Sequence, residues 1–446
     1  MRKYNSSESG QALVLIAVLF VSLLGIVGVA VDSGYSYADR RQAQNAADTS
    51  AMAASLAHSS NTAISDSDIQ TLVINSTTTN GYSNVAPRSI VTVTRSNAPT
   101  GTCDPYIQGV FFQVDITSVN PTFFGGIMGV DNITNHVSAR SLSCPPHPAP
   151  AGLGNAITAL NPSACPGFKV TGNSLIQVTS TTNQGIFVNS SCNEGVNSSQ
   201  VALSAGGNGT VVSPSVSVVG GIYGQNIFLP TIPVTGVQPI TLTGWPTFGA
   251  AECGGTVTLA TPSTIVDGGI TYTVLNPGTY PGTNSAWSNK DFPPYTNIIL
   301  KPGIYCLDRS MTVQSTGMRI NAPVAYHNNE ITIVQRVGDT IFRGGSGIWL
   351  TAPQSGTYKG LLVYLPQGNA AGQLIVNGNA DLHINGSLIA PYSYVELNGG
   401  GSVSAPLETQ VIADSLKFAG SNNLYLSYNS SYQYQVPIPG MLQLNR

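Results

Sequence analysis

The sequence predicts an α+β, membrane-anchored protein: one N-terminal transmembrane helix, a small α/β segment, and an all-β C-terminal domain, a right-handed parallel β-helix. Three observations carry this. Ala12 to Val31 is an apolar run without a charge. Charged residues make up 8% of 446, against about 25% in an ordinary soluble domain. From residue 165 onward, short β-rich runs recur between Gly, Asn and Ser turns, the pattern expected where strands stack and turns carry small or amide side chains.

The expected order is a head (1–10), the span (11–31), a helical extension (32–61), the α/β segment (62–144), a Pro-rich linker (145–164), the β-helix-like domain (165–436) and a tail (437–446). An insertion is expected at about 245–300, where Pro, Gly and Tyr are dense. Twenty helical residues rise about 30 Å, the thickness of a bilayer core. A secretory signal has a shorter apolar region, about 7–15 residues, followed by a cleavage site. Here the run is full length and continues into Asp32 to Arg41 as further helix. Arg2 and Lys3 before the span favour a cytoplasmic head. Arg40 and Arg41 on the far side oppose this, accompanied by Asp32 and Asp39. The lipid bilayer is the expected partner. A net charge of -3 gives no electrostatic case for nucleic acid.

Beyond the span, Ala43, Ala46, Ala47, Ala51 and Ala54 recur at helical spacing. This stripe continues the helix to about Ala57 and offers a flat face to which another backbone can come close. Ser65 with Asp68 reads as a capping pair; Ile69, Leu72 and Val73 share the face of the helix it opens, and Asn80-Gly81 closes it. Ser89 to Thr94 reads as a strand. Val110, Phe112, Val114 and Ile116 alternate with more polar positions, the mark of a half-buried strand. Asn120-Pro121 predicts a short helix through Met128, and a last strand covers about Thr134 to Leu142.

In the β-rich part, runs such as Leu175–Val178, Ile331–Val334 and Val395–Leu397 read as strands. Gly206 to Pro214 echoes Gly399 to Pro406, and Val170 to Ser174 echoes Val376 to Ala380, without a regular period. A β-sandwich is the alternative to a β-helix. All six cysteines lie beyond the span. Sequential pairing, Cys103 with Cys144, Cys165 with Cys192 and Cys253 with Cys306, keeps each pair within one region, and an oxidising compartment favours disulfides over buried thiols.

Three stretches resemble the TadG-like proteins of the tight-adherence (Flp) pilus machinery, with their TadE/TadG-like N-terminal region. The first is Ser9-Gly-Gln-Ala-Leu through Val29-Ala-Val-Asp-Ser-Gly34, then Ala38-Asp-Arg-Arg-Gln-Ala-Gln-Asn-Ala-Ala-Asp48. The second is Phe112-Gln-Val-Asp-Ile116 with Pro121-Thr-Phe-Phe124 and Val137-Ser-Ala-Arg140. The third is Ala159 to Cys165 with Val188-Asn-Ser-Ser191. The resemblance covers about the first 195 residues and makes 62–144 a pilin-like segment. It implies a single-pass protein of the bacterial cytoplasmic membrane, its C-terminal domains extracytoplasmic, acting in pilus assembly or surface adhesion. Other pilus-assembly proteins or pilins are the implied partners; no enzymatic activity and no cofactor are implied. Prepilin peptidases of the resembled pilins cut after a Gly and favour Glu at the fifth mature residue. Counting from Gln11 after Gly10, that residue is Leu15, and Glu8 lies on the wrong side, so the span is expected to be retained.

No GxxxxGK[ST], GxGxxG after a strand, or HExxH occurs. His58, His136, His147, His327 and His383 lack metal-ligand spacing and read as surface or turn residues. An enzyme on a β-helix needs clustered carboxylates; the candidates are Asp267, Asp291, Asp308 with Arg309, Glu330, Asp339 and Asp381. Trp245, Trp287, Trp349, Tyr425, Tyr428, Tyr432 and Tyr434 stack on surface glycans if exposed, or else fill the β-domain. A displayed glycan-binding or glycan-cleaving protein is therefore the alternative function.

Overall fold

The structure, a computed structural model, describes residues 9–103, 107–195, 197–257, 262–282, 291–313, 317–343, 347–377, 381–399, 406–420 and 422–445. Arg2, Lys3, Glu8, Trp287, residues 378–380 and residues 400–405 of the two echoes lie outside them. The chain divides into two units, Met1–His147 with Pro437–Arg446, and Pro148–Val436.

The first unit is a long helix on an antiparallel sheet. Helix α1, Ser9–Ser60, runs 52 residues. Its alanine stripe, Ala43, Ala46, Ala47, Ala51 and Ala54, is fully buried. The stripe does not await another protein: it lies in one core with Val110, Phe112, Val114 and Ile116 of the sheet and Ile69 and Val73 of helix α2, Asp66–Thr79. Alanine suits this contact because a methyl lets the helix backbone sit close to the sheet. Ser65 caps α2, its hydroxyl accepting from the Asp68 N–H at 3.1 Å.

Strands β1 (Ser89–Asn97), β2 (Val110–Pro121) and β3 (Asn132–Cys144) form a meander. The fourth strand is Met441–Asn445, antiparallel to β3 with Arg140 opposite Asn445 and Cys144 opposite Met441. The expected tail is thus part of the first sheet. The helix expected over Asn120–Met128 is also corrected: β2 runs through Pro121, and only Gly125–Met128 makes a 3-10 turn at the hairpin tip. Pairing wins over the Asn-Pro signal because the β2–β3 ladder continues out to Pro121 opposite Asn132. The first disulfide, Cys103–Cys144, ties the loop after β1 to the end of β3.

The second unit consists mainly of stacked parallel strands in one 11-stranded and one 16-stranded sheet, with one antiparallel pair, Thr264–Asp267 on Ile270–Leu275. It starts earlier than the expected linker allows. Ile157–Ala159, inside 145–164, already pairs in parallel with Val411–Ala413 on one side and Ile186–Val188 on the other. Stacking order is not chain order. From Ile157 the chain builds away from this strand through Leu175–Ser180, Thr210–Ser213 and Phe228–Pro230. A second run begins at Thr264 and ends with Val411–Phe418 and Leu424–Tyr428, which stack on the start of the first run. At this seam Phe168 and Phe418 meet edge to face, ring centroids 4.9 Å apart. Corresponding strands in the second run begin about 24–30 residues apart, the size of one structural repeat.

The two runs are joined through residues 236–263, of which 236–257 return along the outside of the stack. This corrects the expected insertion at 245–300: its second half, with Ile270–Leu275 and Asn297–Leu300, belongs to the stack, and only the earlier part is the returning strap. Such a segment has few ladder partners and reads as irregular. Side chains hold it instead. Asn189 donates to Ile240 O at 3.0 Å and accepts from Ile240 N at 2.8 Å. Phe248 stacks on Tyr358 at 4.7 Å. Cys253, in the helical turn Ala250–Cys253, is bonded to Cys306, and Cys165 to Cys192 pins the first run.

Candidate functional site along the long helix

A set of polar residues of α1 recurs on the face that carries the alanine stripe and meets the sheet. Asp32, one residue past the apolar run, accepts three backbone N–H bonds from the β2–β3 tip: Phe123 at 2.8 Å, Phe124 at 3.1 Å and Gly125 at 2.7 Å. One turn on, Tyr35 meets the Phe123 ring edge-on at 5.6 Å. The Ser36 carbonyl accepts from Asn135 Nδ2 at 3.0 Å. Asp39 then gathers Asn135 Nδ2 at 2.7 Å, the Ser118 hydroxyl and the Tyr82 hydroxyl at 3.0 Å. Burial pushes the Asp39 carboxyl up, but hydrogen bonds, among them those from Ser118, Asn135 and Tyr82, outweigh it and hold the group below its ordinary range. Tyr82 is pushed well above the usual phenol range by burial and by that carboxylate.

Further up, Gln44 donates to the Ser138 carbonyl at 3.1 Å and to Asp48 at 2.8 Å. Ser143 donates to the Ser55 carbonyl at 2.9 Å and meets His58 Nδ1 at 3.0 Å. His58 is therefore buried rather than on the surface as expected; burial first, and Arg95 second, lower its pKa. Arg40 and Arg41 stay exposed. The contacts of Asp32, Ser36 and Asp39 fix the direction in which the apolar part of α1 leaves the sheet.

Among the described residues, the carboxylates singled out in the sequence do not gather into one group. Asp308 forms a two-pronged pair with Arg336, at 2.8 and 2.7 Å, and not with Arg309, which donates to the Pro281 and Gly282 carbonyls. Asp339 accepts the Gln373 N–H, Asp381 pairs with His383 at 2.8 Å, Glu330 bridges to Thr351, and Asp267 and Asp291 are exposed. Among the described residues, no three His, Cys, Asp or Glu side chains gather as a metal site would require. Trp349 is sandwiched between His327 and His383, both ring centroids at 3.6 Å, so its faces are occupied. Trp245 lines a cleft of about 470 Å³ with Phe248, Arg336, Tyr364 and Tyr392. Tyr428 and Tyr434 are buried, Tyr425 is half-buried, and Tyr432 is exposed.

The helix is what known proteins match. Residues 10–57 match the Tad family, described as putative Flp pilus-assembly TadE/G-like. The N-terminal region is TadE/G-like. No curated protein and no solved structure matches the chain. The TadE/G-like stretch coincides with α1 to within a few residues at each end and contains Asp32, Asp39 and the whole alanine stripe. It ties this region to Flp pilus assembly. In the sequence Asp32 and Asp39 counted only as charges near the span; their position, one residue and about two turns past an apolar run and on the alanine face, is the signal that marks them as clamps.

Proposed function

We propose that the protein is a non-enzymatic component of Flp-type pilus assembly or surface adhesion, anchored once in a bacterial cytoplasmic membrane with its N-terminus inside. The observation that carries this is the coincidence of the TadE/G-like match with a helix whose first part is apolar and exposed and whose second part is clamped to a sheet. Its window of mean hydropathy 3.0 makes α1 long and apolar enough to cross a bilayer. In this reading residues 12–31 hold the membrane, the first unit stands on it, and the second unit is the displayed part. We infer that this second unit is a right-handed parallel β-helix. Its predominantly parallel stacking, with strands of the second run about 24–30 residues apart, supports the solenoid, and the strong preference of parallel crossovers supports the hand. Deleting the gene tests the function. Pili and surface attachment should be lost, and both should return with the full-length gene; a deletion strain with normal pili and attachment refutes the reading.

A further inference from the structure

We propose that the tip of the β2–β3 hairpin, residues 122–130, is a second membrane contact, sunk among the lipid acyl chains beside the span. This rests on the anchored reading of residues 12–31.

The tip is apolar and bare. Thr122-Phe-Phe-Gly-Gly-Ile-Met-Gly-Val130 carries no charge, and Ile127, Met128 and Phe123 are 86%, 74% and 66% exposed. Large apolar side chains clustered in this way mark a contact surface rather than scattered chance exposure. The surface is continuous with the span. Phe124, Ile127 and Met128 line a cleft of about 490 Å³ with Val21, Leu24 and Val29 of α1. Gly28 makes the approach possible, since a Cβ there would stand 2.8 Å from Phe124 Cβ. Val21 lies eleven residues before Asp32, about 16 Å along a helix axis. The tip therefore runs alongside residues that the anchored reading places within the hydrocarbon.

Seven of the nine backbone N–H groups of the tip find acceptors within the protein, which suits that solvent. A loop in lipid must satisfy its own N–H and C=O groups. Asp32 takes the N–H groups of Phe123, Phe124 and Gly125. Those of Thr122, Ile127, Gly129 and Val130 go to carbonyls of Asp131, Phe124, Gly126 and Gly125, and the Thr122 hydroxyl donates to the Val130 carbonyl. The charged groups, Asp32 and Asp131, lie at the base of the tip, where the chain returns toward water. Asp32 thus sets the depth to which helix and hairpin enter together.

All six cysteines are in disulfides, so a single added cysteine on the full-length chain can be spin-labelled. Ile127→Cys and Met128→Cys report the tip, Leu19→Cys the span, and Thr62→Cys the exposed turn just past the end of α1. Accessibility to oxygen and to a water-soluble nickel chelate is measured in phospholipid vesicles. The expected result is that labels at 127 and 128 match 19, oxygen-rich and shielded from nickel, while 62 is open to nickel. Nickel access at 127 and 128 with 19 still in lipid overturns the proposal and leaves the anchor intact. Labels at 127 and 128 shielded from both reagents also overturn it, because protein then covers the tip. Nickel access at 19 would instead mean that the anchored reading itself had failed.

Discussion

The two halves of α1 share one backbone and face opposite surroundings. In the first, large side chains are bare: Leu13 is 72% exposed and Phe20 61%. In the second, the five stripe alanines are fully buried. A helix in water hides its large apolar residues and leaves small ones outside. Here the order is reversed. The contrast teaches that the two halves of one helix meet different demands. The bulky half is long and apolar enough to cross a bilayer, and the alanine half gains from close approach to a sheet. Asp32 marks the change, and the polar clamps begin there.

The comparison can be broken from either side. The largest expected effect comes from Leu19→Arg, which should raise the cost of membrane insertion by about 3 kcal/mol. Membrane extraction should show the chain shifting to the soluble fraction, while its thermal unfolding in detergent stays unchanged. In the other half Ala47→Leu should do the reverse. Overpacking the helix–sheet contact should cost about 2 kcal/mol of stability, seen by calorimetry, with membrane retention intact. A smaller effect is expected from Asp39→Asn, about 1–2 kcal/mol from weakened charge-assisted hydrogen bonds. Because the folded carboxyl lies below its ordinary value, its contribution is complete at neutral pH and is lost as pH falls below about 4. Denaturant midpoints measured against pH should therefore fall in acid for the native chain and fall less for Asp39→Asn. The smallest effect belongs to Arg95→Ala, which removes an exposed pair with Asp66 at 3.3 Å. It should change stability by less than about 1 kcal/mol, and a larger loss would mean that Arg95 matters through its place over the Phe112 ring at the rim of the helix face rather than through the ion pair.

Much of the first unit was legible because its signals are local. Twenty apolar residues, an alanine stripe of period near 3.6 and the Ser65–Asp68 cap are each contained in a few turns. Asp32 was legible only as a charge, since its partners lie 91 to 93 residues away. The last strand was read as a tail because Met441–Asn445 is short and its partner, β3, lies some 300 residues earlier. In the second unit the strands and their turns could be read, and the disulfides join the neighbours in sequence. Their stacking order could not. Nothing local in Val411–Phe418 says that it pairs with Ile157–Ala159 and Phe168–Val170. The strap looked like an insertion for the same reason: its partners, Asn189 and Tyr358, lie in different runs, about 50 and 110 residues away in sequence.

The central claim is that the protein serves pilus assembly from a membrane anchor. It is tested most directly by replacing residues 1–31 with a cleavable secretion signal, so that the folded remainder is exported without its span, and counting surface pili in a deletion strain carrying this gene. The account predicts a released, disulfide-bonded protein and no pili. Full piliation by the anchor-free chain would contradict it.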